Sequence, residues 1–154
     1  MKRIHRARTT RAAALLLAIC ATTAALAQVG VGTWVKQTNS SKPGTMTMTV
    51  EACCNEGRRL TYRMAGNIVM VVESAFDGSE APVLVNGKPS GETMAITRVD
   101  AMHTSTVLKF NGQPLGTSKA SLSADGRTLS VVNEMSGSVG GNVAGKNSET
   151  WVRQ

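Results

Sequence analysis

The chain has 154 residues, with 17 Lys and Arg against 10 Asp and Glu and a formal charge of +7. Five of those cations fall in the first eleven residues, which leaves 12 cations against 10 acids in the rest. That balance excludes the strongly basic surface of a nucleic-acid or anionic-membrane binder, and the length beyond the first segment suits one domain rather than two.

Met1–Arg11 carries Lys2, Arg3, Arg6, Arg8 and Arg11 and no acid, and Ala12–Ala24 follows without a charge. Ala25-Leu26-Ala27 then supplies the small-x-small pattern that signal peptidase reads. The arrangement predicts a signal peptide over 1–27, cleaved after Ala27, and a periplasmic or secreted domain over 28–154. Cys20 follows the bulky Ile19, which argues against lipidation. The apolar run is shorter than the ~20 residues a spanning helix needs, and no other segment is apolar enough, so no membrane span is expected.

In the mature region the first expected strand is Gly32–Gln37. Thr45–Val50 alternates strictly, with Met46, Met48 and Val50 on one face and three Thr on the other. Leu60, Tyr62 and Met64 repeat the pattern against Arg59, Thr61 and Arg63. Successive strand residues point to opposite faces, so these six apolar residues are the candidate interior. Arg58, Arg59 and Arg63 are expected to form a solvated cationic face. Ile68–Val72 is continuously apolar and fits a strand covered on both sides, with a helix left open by periodicity alone. Further strands are expected at Pro82–Val85, Thr93–Asp100, Thr104–Phe110, Gln113–Leu122, Thr128–Glu134 and Ser148–Arg153.

Turn signals separate these runs: Pro43-Gly44, Asn55-Glu56-Gly57, Asp77-Gly78, Asn86-Gly87, Asn111-Gly112, Asp125-Gly126 and Gly140-Gly141. Asn-Gly and Asp-Gly supply the positive φ that two-residue hairpins require. Ser136–Gly145 reads as a long Gly-rich hairpin loop. No mature window holds a helical stripe. Regularly spaced short strands of this kind predict an all-β antiparallel sandwich or barrel.

Gly32-Thr33-Trp34 opens the first strand and Trp151-Val152-Arg153 closes the last. This resembles the calycin barrels, the lipocalins and fatty-acid-binding proteins, whose first strand carries Gly-x-Trp with the Trp packed under a cation from near the C-terminus. The resemblance implies an antiparallel up-and-down barrel of about eight to ten short strands. Trp34 would plug one end and Arg153 would lie over its face, a contact worth ~0.5–2 kcal/mol. Phe76-Asp77-Gly78 with Pro82-Val83, Ile96–Asp100 and Ser123–Leu129 are similar to small secreted bacterial lipocalin-like proteins. Two features depart from fatty-acid-binding proteins: Lys36–Thr45 is too short for their helical lid, and their Arg-x-Tyr carboxylate grip has no match.

Cys53-Cys54 sits beside Asn55-Glu56-Gly57, at an expected hairpin tip. Outside the cytoplasm thiols tend to oxidise. The pair reads as a static vicinal disulfide that rigidifies a turn, as a redox or soft-metal switch, or as a link between two chains. Met46-x-Met48 has the thioether spacing that suits Cu(I), and equally that of a core-facing strand. His103 is the one His after residue 27, too few for a His-rich metal cluster. With one His and no Gly-x-Ser-x-Gly, a hydrolytic triad has no basis.

The expectation is a monomeric, non-enzymatic, extracytoplasmic barrel with no cofactor or metal and no nucleic-acid partner. It would bind a small, mostly apolar ligand. The alternative is a barrel filled by its own side chains, serving as a structural or envelope-stress interaction protein.

Overall fold

The structure, a computed structural model, describes residues 30–38, 45–54, 56–137 and 144–154. The expected signal peptide and the turns at Pro43-Gly44 and Gly140-Gly141 lie outside the described residues, as does Asn55. Ten strands form among those described: β1 Gly32–Lys36, β2 Met46–Cys53, β3 Gly57–Met64, β4 Asn67–Ser74, β5 Asp77–Val85, β6 Lys88–Arg98, β7 His103–Phe110, β8 Gln113–Leu122, β9 Thr128–Met135 and β10 Gly145–Arg153.

Each strand pairs antiparallel with its neighbours in sequence, and β10 pairs back onto β1. The result is a closed up-and-down barrel with no free edge, which removes the unpaired N–H and C=O groups of an open sheet. The seam has the register Trp34↔Arg153 and Lys36↔Trp151. No helix among the described residues is long and apolar enough to cross a membrane.

The tight hairpins form where backbone chemistry allows two consecutive positive φ values. Asn86-Gly87 adopts φ 50° and 74°, and Asn111-Gly112 adopts 48° and 77°. Both match the primed turns that follow the right-handed twist of paired strands. Ala65-Gly66, at 49° and 83°, does the same between β3 and β4. The Ala-Gly pair carries a weaker turn signal, and the sequence reading passes over it.

Three expectations are corrected. Asp77-Gly78 is not the β4–β5 turn; it opens β5, and the chain reverses at Phe76, which holds φ 60°. A bulky residue rarely adopts that conformation. Here the Phe76 ring packs against the core, its carbonyl accepts from Arg98 N at 2.9 Å, and its N–H donates to Ser74 Oγ at 3.2 Å. The run Ile68–Val72 is not covered on both sides: Val72 is fully buried, while Ile68 lies exposed near the hairpin end of β4. Strand β6 begins at Lys88, five residues before the expected Thr93, because Asn86-Gly87 lets it fold back immediately.

The core is lopsided. Trp34, Met48, Val50, Leu60, Val72 and Val83 pack together from β1–β5. A second, smaller cluster of Leu108, Leu115 and Met135 lies on β7–β9.

Candidate functional site

Inward-facing side chains enclose a cavity of about 1160 Å³. An eight-stranded barrel is just wide enough to be filled by side chains or to hold one small ligand, and diameter grows with strand number. Ten strands therefore start with more room. The inward positions of β7 and β8 then use short side chains, Thr104, Thr106, Ser118 and Ala120, which leave that room open.

The candidate interior residues fall on the lining, with one difference. Met48, Val50 and Leu60 are buried in the core and border the cavity, and Met46 and Tyr62 line it half-buried. Met64, the last residue of β3, is 46% exposed and forms part of the rim. The expected cationic face of Arg58, Arg59 and Arg63 is corrected at Arg58. Arg58 is 4% exposed and lines the cavity, and its Nη1 donates to the carbonyls of Glu56 and Gly57 at 2.9 and 2.8 Å. Arg59 lies outside and pairs with Glu73. Neighbouring strand residues cannot share a face, and alternation already places Arg58 with Leu60 and Tyr62.

A polar cluster crosses the seam. Lys36 Nζ lies 2.6 Å from Glu149 Oε1 and 5.9 Å from the centroid of the Trp151 ring. Trp151 Nε1 donates to Glu149 Oε2 at 3.2 Å, and the Tyr62 ring meets Trp151 edge-on at 6.1 Å. Burial, with Glu149 nearby, pushes the Tyr62 phenol far above its ordinary range, so it stays a neutral donor. Sequence reasoning missed Lys36 and Glu149. The signal was present: each lies two residues from an inward Trp, and a two-residue period shares a face.

Glu92 faces the cavity from the opposite wall, since β6 lies five strands from β1 around a ring of ten. Alternation along β6 with Met94 and Ile96 places it there, next to a bulge. Pro82 pairs with Thr93 and Leu84 with Pro89, so Ser90-Gly91-Glu92 stands opposite Val83 alone. Gly91 takes φ 88°, and Ser90 and Glu92, two residues apart, both face the cavity. Ser90 Oγ donates to Val83 O at 3.0 Å and accepts from Glu92 N at 3.1 Å, fixing the bulge. Glu92 is 8% exposed, and its Oε1 is buried without a hydrogen-bond partner. Burial raises its carboxyl above the ordinary value of 4.5. The two-residue period marks this residue, in step with Met94 and Ile96, but the expected strand began at Thr93 and left it out.

At the other end Trp34 is fully buried, with Nε1 donating to Gly30 O at 2.9 Å and Arg153 lying over its ring. Cys53 and Cys54 are joined by a vicinal disulfide at the β2–β3 hairpin tip, with Cys54 exposed. His103 is exposed and bonds the Asp100 carboxylate at 2.8 Å. Met48 packs in the core beside Trp34. No group of three His, Cys, Asp or Glu among the described residues is placed to hold a metal ion.

The sequence matches no protein-family model and no curated protein. Among solved structures, the chain is similar to a point mutant of the fluorescent protein UnaG. The TM-score is 0.59 at 13% identity, covering 82% of this chain and 97% of that one. At that identity the likeness establishes the fold: a calycin-like closed antiparallel barrel.

Proposed function

We propose that this protein binds a small, mostly apolar molecule inside its barrel and does so outside the cytoplasm. The observation that carries the reading is the cavity of about 1160 Å³, bounded by Met46, Met70, Met94, Phe110, Leu122 and Val131. Ligand sites run from about 300 to 1,000 Å³ and combine apolar walls with a few placed polar groups. This cavity has the walls, and Tyr62, Glu149 and Glu92 supply the polar groups. Methionine is flexible and polarizable, so the walls can adapt to a ligand's shape. Export rests on the charged start and Ala25-Leu26-Ala27.

The test is native mass spectrometry of protein purified from its own host. A co-purifying mass lost on denaturation supports the reading. Protein that carries no added mass and fails to take up an apolar fluorescent dye removes it. The same spectrum tests export: processed protein begins at Gln28, and retention of Met1 overturns that part.

A further inference from the structure

We propose that Glu92 anchors the ligand through a basic nitrogen, so that the molecule taken up is a lipophilic amine. The proposal rests on the cavity being a ligand site and names the chemistry of its occupant.

Three carboxylates line the cavity: Glu92, Asp100 and Glu149. Glu149 is already held by Lys36 and Trp151. Asp100 sits at the β6–β7 hairpin, where it accepts from Met102 N at 2.7 Å and bonds His103. Glu92 alone of the three keeps a buried oxygen without a partner.

Nothing that flanks Glu92 neutralises it. From β5 the buried side chains are Ala81 and Val83, and the cavity-facing residues of β7 are Thr104, Thr106, Leu108 and Phe110. The nearby charges Glu80 and Lys109 pair with each other on the outer surface, where Thr93 also bonds Glu80. Across the cavity Lys36 is committed to Glu149, and Arg58 to two backbone carbonyls. Arg98 shares the strand but lies six residues away, about 20 Å along it. His103 is held by Asp100 on the same hairpin.

An isolated buried carboxylate is costly and either takes up a proton or acquires a counter-charge. The fold supplies no counter-charge at Glu92, yet strand alternation turns the carboxyl inward at the edge of an apolar space and Ser90 fixes the backbone beside it. An ammonium on an apolar body supplies the charge, and its N–H groups supply the donor that Oε1 lacks. Lys36 and Arg58 are engaged elsewhere and Arg98 lies about 20 Å along the strand, so an anionic ligand gains no equivalent partner at this end.

Three probes of equal chain length decide the matter: dodecylamine, 1-dodecanol and dodecanoic acid, each competing with an apolar fluorescent dye. Wild-type protein is expected to bind the amine about tenfold or more tightly than the alcohol, the range of a charge-assisted hydrogen bond. Glu92→Gln, nearly the same shape, is expected to erase that preference and leave alcohol binding in place. In wild type, amine affinity should fall as pH drops through the raised Glu92 range, while alcohol affinity stays flat. Equal binding of amine and alcohol, tighter binding of the acid, or an unchanged preference in Glu92→Gln overturns the anchor while alcohol binding sustains the cavity reading. Failure of all three probes to bind overturns both.

Discussion

The guanidinium carbon of Arg153 lies 5.4 Å from the centroid of the Trp34 ring, and the two residues are register partners across the β1–β10 seam. One guanidinium nitrogen of Arg153 also donates to the carbonyl of Val31. The contact explains the glycine two residues before the tryptophan. Gly32 holds φ 141°, and a Cβ there would sit 3.0 Å from Arg153 Nε. The planar guanidinium needs that space to cover the indole face.

Removal of either partner tests the seam. Trp34→Ala is expected to cost ~3–5 kcal/mol, as for other fully buried aromatics. Arg153→Ala should cost less, because Arg153 is exposed. In a double-mutant cycle by denaturant unfolding, the two effects should couple by about 0.5–1 kcal/mol, the exposed end of the cation–π range. Strict additivity would remove the contact from the account of closure.

The bulge in β6 can be tested against an ordinary turn. Gly87→Ala meets no atom within 4 Å and carries the strain of φ 74° alone. Gly91→Ala carries φ 88° and also brings its Cβ to 2.6 Å from Asn111 Oδ1. Residues forced into such backbone cost ~1–3 kcal/mol, so both variants should be destabilised, Gly91→Ala the more. Matching melting temperatures for the two would show that the Gly91 site is slack.

Stability should respond to pH through Glu92 in a defined sense. Burial raises its folded-state value above the ordinary 4.5. The folded protein then binds that proton more tightly than the unfolded chain does. Its contribution is therefore most favourable in acid and is lost as pH rises from 4.5 through the raised value. Glu92→Gln should melt higher than wild type at neutral pH, with the difference closing in acid. A difference independent of pH would mean that Glu92 is solvated or paired. The exposed residues Asp77, Asp100 and Asp125 act in the opposite sense. Hydrogen bonds from nearby groups, Ser79 for Asp77, Met102 for Asp100 and Ser123 for Asp125, hold each below the ordinary carboxylate range. Their contributions are lost as pH falls through those lowered values.

The vicinal pair Cys53–Cys54 closes the smallest of loops, so it restrains the unfolded chain little. A double Cys→Ser variant should melt within a few degrees of wild type, the shift that about 1 kcal/mol produces at this size. Thiol titration of protein that begins at Gln28 should find two reactive groups after reduction and none before. A large loss of stability would show that the pair does more than tie a turn, and a dimer dissolved by reductant would show a bond between chains.

The barrel itself was legible because a two-residue period and Asn-Gly turns are local signals. Met46, Met48 and Val50 against three Thr, and Asn86-Gly87 and Asn111-Gly112 between strands, specify which faces turn inward and where the chain reverses. The Gly-x-Trp start and Trp-Val-Arg finish carried the closure, since they belong to strands that must meet. Alternation also held the answer for Arg58, Lys36 and Glu149, whose parity puts them inside. Tertiary structure alone decided the rest. Phe76 reverses the chain because packing and two hydrogen bonds hold a backbone angle its side chain disfavours. Glu92 shares its parity with Met94 and Ile96, but its lack of a partner depends on what the neighbouring and facing strands place around it. Such facts are set by three-dimensional neighbours far apart in the chain, which no local pattern records.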